Sequence, residues 1–205
     1  MYIKTVLLVM AIMSGSSLAM ASDYEVLQSD WAVANYQTST NRQSEVFEAL
    51  AKKAEALVNS HPESAENHIW YGIILSTWAG VDGGLGALSR VKQARRELET
   101  ALELDPDALQ GSAYTSLGAL YYQVPGWPLA FGDKKQAEKL LLKALEINPD
   151  GIDSNYFMGD YLMREKRYDE ARVVLQKALQ ATPRPDRELA DRGRRAEVQA
   201  LLSKL

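Results

Sequence analysis

Cysteine is absent from the chain. That excludes disulfide stapling, a thiolate metal site, a cysteine nucleophile and a lipid-modified cysteine behind an export signal. Histidine is scarce: His61 stands before Pro62, and His68 lies in the helical pattern that follows. Neither has a second histidine or a carboxylate at the spacing of an HExxH metal site, and no G-x-S-x-G nucleophile elbow occurs. Gly83-Gly84-Leu85-Gly86 precedes a segment with Ser89, Arg90 and Lys92, but no Gly-Lys-Ser/Thr follows and no strand precedes, so it reads as a turn and not a phosphate cradle. No catalytic residue, metal or cofactor is implied, and the chain is not expected to be an enzyme. An excess of positive charge is also missing. The formal net charge is -4 with the signs interspersed, which gives no electrostatic footprint for nucleic acid or an anionic membrane surface.

Long apolar runs are missing except near the start. Residues 1–21 contain one charge (Lys4), an apolar stretch from Val6 to Met13, a polar break at Ser14-Gly15-Ser16-Ser17, and Ala19-Met20-Ala21. This is the pattern of a secretory signal with an A-x-A cleavage site, and its apolar core is too short to span a bilayer. The expected mature chain begins near Ser22, is periplasmic or secreted, and has no stable membrane insertion once the signal is removed.

What is present is a beat of small residues. Ala171, Leu175, Ala178 and Pro183 repeat the intervals of Ala137, Leu141, Ala144 and Pro149, and again of Ala94, Leu98, Ala101 and Pro106. Each set follows an amphipathic segment with a central glycine: Gly72, Gly118 and Gly159. Small residues at fixed intervals in two successive helical patterns place two helices in close approach, and the proline ends the second. The unit is a helical hairpin, and its recurrence marks a solenoid in which each hairpin buries its apolar face on the next.

The residues that carry this pattern are Leu117, Gly118 and Tyr121 with Ala137, Leu141, Ala144 and Pro149, then Met158, Gly159 and Leu162 with Ala171, Leu175, Ala178 and Pro183. On them the chain resembles the tetratricopeptide-repeat (TPR) family. The resemblance implies an all-α, TPR-like solenoid of stacked antiparallel helix hairpins over 44–183. A degenerate N-terminal helix and loop at 22–43, with Trp31, Val33 and Tyr36 on the helix, would precede it. A C-terminal capping helix at 184–205 would close it, its arginines forming a solvated face. A helix starting at Ser44 is expected to be the second half of a worn-down first hairpin.

Two copies depart from the family's length. Gly72 to Ala94 spans 22 residues and Gly118 to Ala137 spans 19, against 12 from Gly159 to Ala171. Both insertions fall between the two helices of their hairpin, so the lengthened loops around Ala79–Gly86 and Gln123–Gly132 should lie side by side on one edge. The second presents Trp127 and Phe131 beside Tyr121 and Tyr122, with Trp78 at the foot of the first. Aromatics held by two prolines suit a binding rim, and they equally suit loops that fold back and pack. Asp133 is placed to cap the helix after the second loop.

Two functions remain, both non-enzymatic. One is an interaction module holding a protein or peptide partner in a concave groove lined by Ile69, Ile73, Thr115, Ala119, Tyr122, Tyr156, Asp160 and Met163. Its candidate site residues are Tyr122, Trp127, Phe131, Trp78, Tyr156 and Asp160. The other is capture of a small organic solute: Gly132-Asp133-Lys134-Lys135-Gln136-Ala137 to Leu145 is similar to the T components of TRAP transporters, exported helical-repeat proteins that accompany solute transport. That resemblance implies a pocket between helices and rim loops.

Overall fold

The computed structural model describes residues 23–205; the expected export signal at 1–21 lies outside the described residues. Among the described residues the regular structure is helical: α1 (Asp23–Tyr36), α2 (Thr40–Ser60), α3 (Ala65–Asp82), α4 (Gly84–Leu104), α5 (Ala108–Gln123), α6 (Lys134–Ile147), α7 (Ile152–Arg164), α8 (Tyr168–Gln180) and α9 (Glu188–Leu202). Successive pairs α1/α2, α3/α4, α5/α6 and α7/α8 pack as antiparallel hairpins, each hairpin stacks on the next, and α9 packs on α7 and α8 as a cap. The protein is an all-α solenoid of helical hairpins.

The small-residue beat is what permits the hairpins. A Cβ at Gly72 would lie 2.6 Å from Leu98, one at Gly118 2.7 Å from Leu141, and one at Gly159 2.5 Å from Leu175. Those distances are too short for any carbon–carbon contact, so glycine is required for the first helix to receive the leucine of the second. Around each leucine the alanines are sealed: Ala94, Ala101, Ala137, Ala144, Ala171 and Ala178 have no solvent exposure. Two caps fix helix starts. The Ser64 hydroxyl accepts from the Asn67 N–H, and the Asp133 carboxylate accepts from the N–H groups of Lys135 and Gln136.

Three local expectations are revised. The second helix begins at Thr40, not Ser44, because Thr40–Gln43 contains no helix breaker and the Gln43 side chain donates back to the carbonyls of Ala34 and Asn35, tying α2 to the end of α1. The segment before it is a full helix, burying Leu27, Trp31, Ala32 and Ala34. The first insertion is not a loop: α3 runs on to Asp82 and α4 starts at Gly84, so the extra residues lengthen both helices. Nothing in Ala79–Asp82 breaks a helix until Gly83 and Gly84 turn the chain at positive φ. The lengthened ends are zipped by Arg90, which pairs with Asp82 at 2.8 Å and stacks on Trp78 at 3.7 Å.

The second insertion is a true loop between α5 and α6. Phe131 packs edge-on against Tyr121 at 5.3 Å, with the Arg95 guanidinium 5.0 Å above its ring. Val124 and Pro125 of this loop border the same concavity as Ala79 and Gly80 near the end of α3.

Candidate functional site: a cavity inside the closed superhelix

The stack curls until its ends meet. Helix α1 touches α9, and at Gly193 the missing side chain leaves room for the flat of the Tyr36 ring. The concave face, lined by the odd-numbered helices and the start of α4, forms a cavity of about 410 Å³. That volume lies in the usual range for small-molecule sites, roughly 300–1,000 Å³.

Most of the wall is apolar or weakly polar: Trp31, Ile73, Leu88, Val91, Ala119 and Leu120 face it, with Ser112, Thr115 and Ser116 between them. One end is charged. Asp153 accepts from Arg184 at 2.7 Å and from Arg194 at 2.8 Å; Arg184 also pairs with Asp191, and Arg194 with Glu197. Burial would raise the Asp153 carboxyl, but the guanidinium groups of Arg194 and Arg184 outweigh it and hold it well below the usual carboxylate range. The Arg194 guanidinium sits 4.3 Å from the Tyr156 ring centre and 4.8 Å from that of Phe157.

The arginines of the cap are thus not the solvated face expected of them. Arg194 is only 9% exposed, Arg195 donates to the carbonyls of Leu179 and Ala181, and only Arg192 of this group is turned to solvent. Helix α9 packs on both the last hairpin and the first, and the Asp153 carboxylate of α7 meets its Arg194 there.

Three residues that line this cavity each carry a buried side-chain atom without a hydrogen-bond partner in the protein: Tyr36 Oη, Trp70 Nε1 and Arg187 Nε. The three are linked through their rings. Trp31 lies 5.8 Å from Tyr36 and 6.0 Å from Trp70, and the Arg187 guanidinium is 5.6 Å from the Trp70 ring. Trp31 itself is satisfied, donating from Nε1 to the Thr77 hydroxyl at 2.9 Å. Burial pushes the Tyr36 hydroxyl well above its ordinary value, so it stays protonated.

The residues selected from sequence are dispersed. Tyr122 and Asp160 do meet: the tyrosine hydroxyl donates to the carboxylate at 2.8 Å, and burial with that carboxylate pushes the hydroxyl far up. Arg164 closes this cluster, 3.2 Å from Asp160 and 5.2 Å from the Tyr122 ring. Trp78 is taken up by Arg90 and by a bond to the Ser44 hydroxyl at 3.3 Å. Phe131 is half-buried on Tyr121, and Tyr156 packs against Phe157 at 5.0 Å. Trp127 stands alone at 90% exposure, next to Leu129 at 66%. Of the expected groove, Ile73, Thr115 and Ala119 line the cavity, whereas Ile69 is sealed in the core. Sequence reasoning missed Tyr36, Trp70, Asp153, Arg184, Arg187 and Arg194 as a group. Their meeting depends on the curvature of the whole stack, and no local spacing encodes it.

Hairpins of this geometry, stacked, capped and curled around a cavity, define a TPR-like solenoid with an internal pocket. The tetratricopeptide-repeat family model matches residues 129–205, which hold α6, the last hairpin and the cap. The fold is similar to the crystal structure of TTC0263, a thermophilic TPR protein of Thermus thermophilus, at TM-score 0.57 and 16% identity, covering 87% of this chain and 97% of that one. The crystal structure of MamA is similar at TM-score 0.47 and 17% identity, covering 80% and 88% of the two chains. No curated protein sequence matches. Among the described residues no helix is long and apolar enough to cross a membrane, and no group of three His, Cys, Asp or Glu side chains is placed to hold a metal ion.

Proposed function

We propose that the protein is a non-enzymatic binding module that takes a small organic solute into the cavity between α1, α3, α4, α5, α7 and α9. The observation that carries this is one concavity of suitable size and mostly apolar wall, lined by residues from both ends of the stack. The apolar wall would receive the body of a bound solute, with Ser112, Thr115 and Ser116 as polar partners. The closure of α9 on α1 favours a compact ligand over an extended peptide or a partner's helix. The likeness of 132–145 to the T components of TRAP transporters is in keeping with a solute, and the pattern of Met1–Ala21 supports a place in the periplasm or outside the cell.

Melting-temperature screening against small organic metabolites tests this. A ligand present at a hundred times its Kd stabilises by about 2.7 kcal/mol. The expected result is a stabiliser whose effect disappears in Ser116→Trp, which fills the cavity. Native mass spectrometry of the purified full chain should show a retained small molecule. If neither measurement finds one, while crosslinking recovers a protein that Trp127→Ala no longer captures, the cavity proposal fails and an interaction module working through the rim replaces it. The exposure of Trp127 and Leu129 supports that second reading.

A further inference from the structure

The loop between α5 and α6 ends in an apolar tip. Pro125, Trp127, Pro128 and Leu129 are all exposed, Trp127 the most of any large apolar side chain among the described residues. Single apolar residues on a surface need no explanation, but here Trp127 and Leu129 stand together on one projection. The tip is also held in shape. Phe131 seats its base on Tyr121, the Gly132 N–H donates to the Pro125 carbonyl at 2.9 Å, and the Asp133 N–H donates to the Tyr121 carbonyl at 2.9 Å. A tip fixed in this way loses little further freedom when it is covered.

Its surroundings are cationic. The cleft beneath Pro128–Phe131 is walled by Lys92, Arg95, Arg96 and Glu99 of α4, and Arg95 takes up Glu99 at 2.6 Å. On the other flank Asp133 spends its carboxylate on the cap of α6, Lys134 pairs with Glu165, and Lys135 is exposed. Lys92 and Lys135 form no ion pair among the described residues. The net charge of -4 over the whole chain hides this local excess. An apolar tip in a cationic collar suits a bilayer surface with anionic headgroups: an indole favours the headgroup level, and each lysine or arginine held near such a surface adds attraction.

The loop's backbone separates lipid from a protein partner, the other occupant an exposed rim could take. The N–H groups of Leu129 and Ala130 both turn in to the Gly126 carbonyl, at 3.2 and 3.3 Å, and Pro125 and Pro128 have none. A partner's main chain would find few donors here, whereas the same economy lets the tip enter a lipid interface without stranding polar groups.

We propose that loop 125–131 docks the protein peripherally on a phospholipid bilayer with anionic headgroups. Trp127 and Leu129 dip to the headgroup level, and Lys92, Arg96 and Lys135 face the lipid phosphates. The contact lies on the bilayer without spanning it, in keeping with the lack of a membrane-crossing helix among the described residues. It stands whether or not the cavity holds a solute.

The expected mature chain, from Ser22 onward, tests this in flotation with vesicles of phosphatidylcholine alone and of equimolar phosphatidylcholine and phosphatidylglycerol. The anionic vesicles are expected to bind about tenfold more tightly or better, and less so as salt is added. Lys92→Glu with Arg96→Glu should remove that preference. Trp127→Ser with Leu129→Ser should weaken binding about tenfold yet melt with the parent, because both side chains already stand in water. Lipids spin-labelled near the headgroup should quench tryptophan fluorescence, and Trp127→Phe should abolish the quenching, which puts the contact at the tip. Absence of binding to either vesicle, equal binding to both, or binding that survives Trp127→Ser with Leu129→Ser overturns the proposal. So does a tip that joins two copies of the chain in sedimentation, or that captures a protein in crosslinking, while no vesicle is bound.

Discussion

Gly193 of α9 lies against the flat of the Tyr36 ring of α1, so close that a Cβ at that position would collide with the aromatic carbons. The contact joins the last described helix to the first and closes the concave face. Gly193→Leu should push the two apart. Overpacking of this kind costs about 1–3 kcal/mol, and the variant should show a lower Tm, a larger radius of gyration by X-ray scattering and weaker cavity binding. Gly193→Ala should show the same changes in smaller measure.

Each hairpin makes an equivalent prediction at its own glycine. Gly159→Leu should destabilise by about 1–3 kcal/mol through collision with Leu175. In the double variant with Leu175→Ala, part of that loss should be recovered, because the new side chain enters the space the old one leaves. A double-mutant cycle in urea reads the coupling directly. Purely additive losses would mean that the two residues do not share one space.

Asp153 gives a pH signature. Its folded carboxyl is held below the ordinary value, so its contribution is fully present at neutral pH and falls away as the pH drops below the unfolded value of 3.8. Asp153→Asn should therefore be less stable than the parent at pH 7, and the gap should narrow steadily below about pH 4. Asp153→Ala leaves Arg194 buried without its central carboxylate, with a loss on the order of 3 kcal/mol at pH 7. Denaturant melts at several pH values check both.

The rim divides into a packed and a free aromatic. Phe131→Ala removes both the ring pairing with Tyr121 and the surface on which the Arg95 guanidinium rests. It should lower stability by about 1 kcal/mol, read from a urea melt. Trp127→Ala, at a site exposed almost throughout, should stay within about 0.5 kcal/mol of the parent. It should also leave solute binding unchanged, as calorimetry would show.

The parts of this architecture that were legible in the sequence are those set by neighbours a fixed distance apart. Gly72 with Leu98, Gly118 with Leu141 and Gly159 with Leu175 are pairs whose spacing alone implies close helices, and the structure brings each pair into contact. The same logic misjudged 79–86, where the additional residues kept helical propensity and simply extended α3 and α4 to the Gly83–Gly84 turn. It also misjudged α9. Arginines spaced among acids look like a surface, and only the distant Asp153 and the curl of four hairpins turn Arg184 and Arg194 inward. The cavity residues come from Trp31 at one end to Glu197 at the other, so no window of sequence contains them.

The contact between Tyr36 and Gly193 alters how the molecule comes apart. A linear array of repeats can fray from either terminus, each unit letting go on its own terms. With its extremities clasped, this one has no loose edge among its described helices at which melting can begin, and rupture of any joint must also unfasten the clasp. Cooperativity, ordinarily weak in modular stacks, becomes a property of the ring.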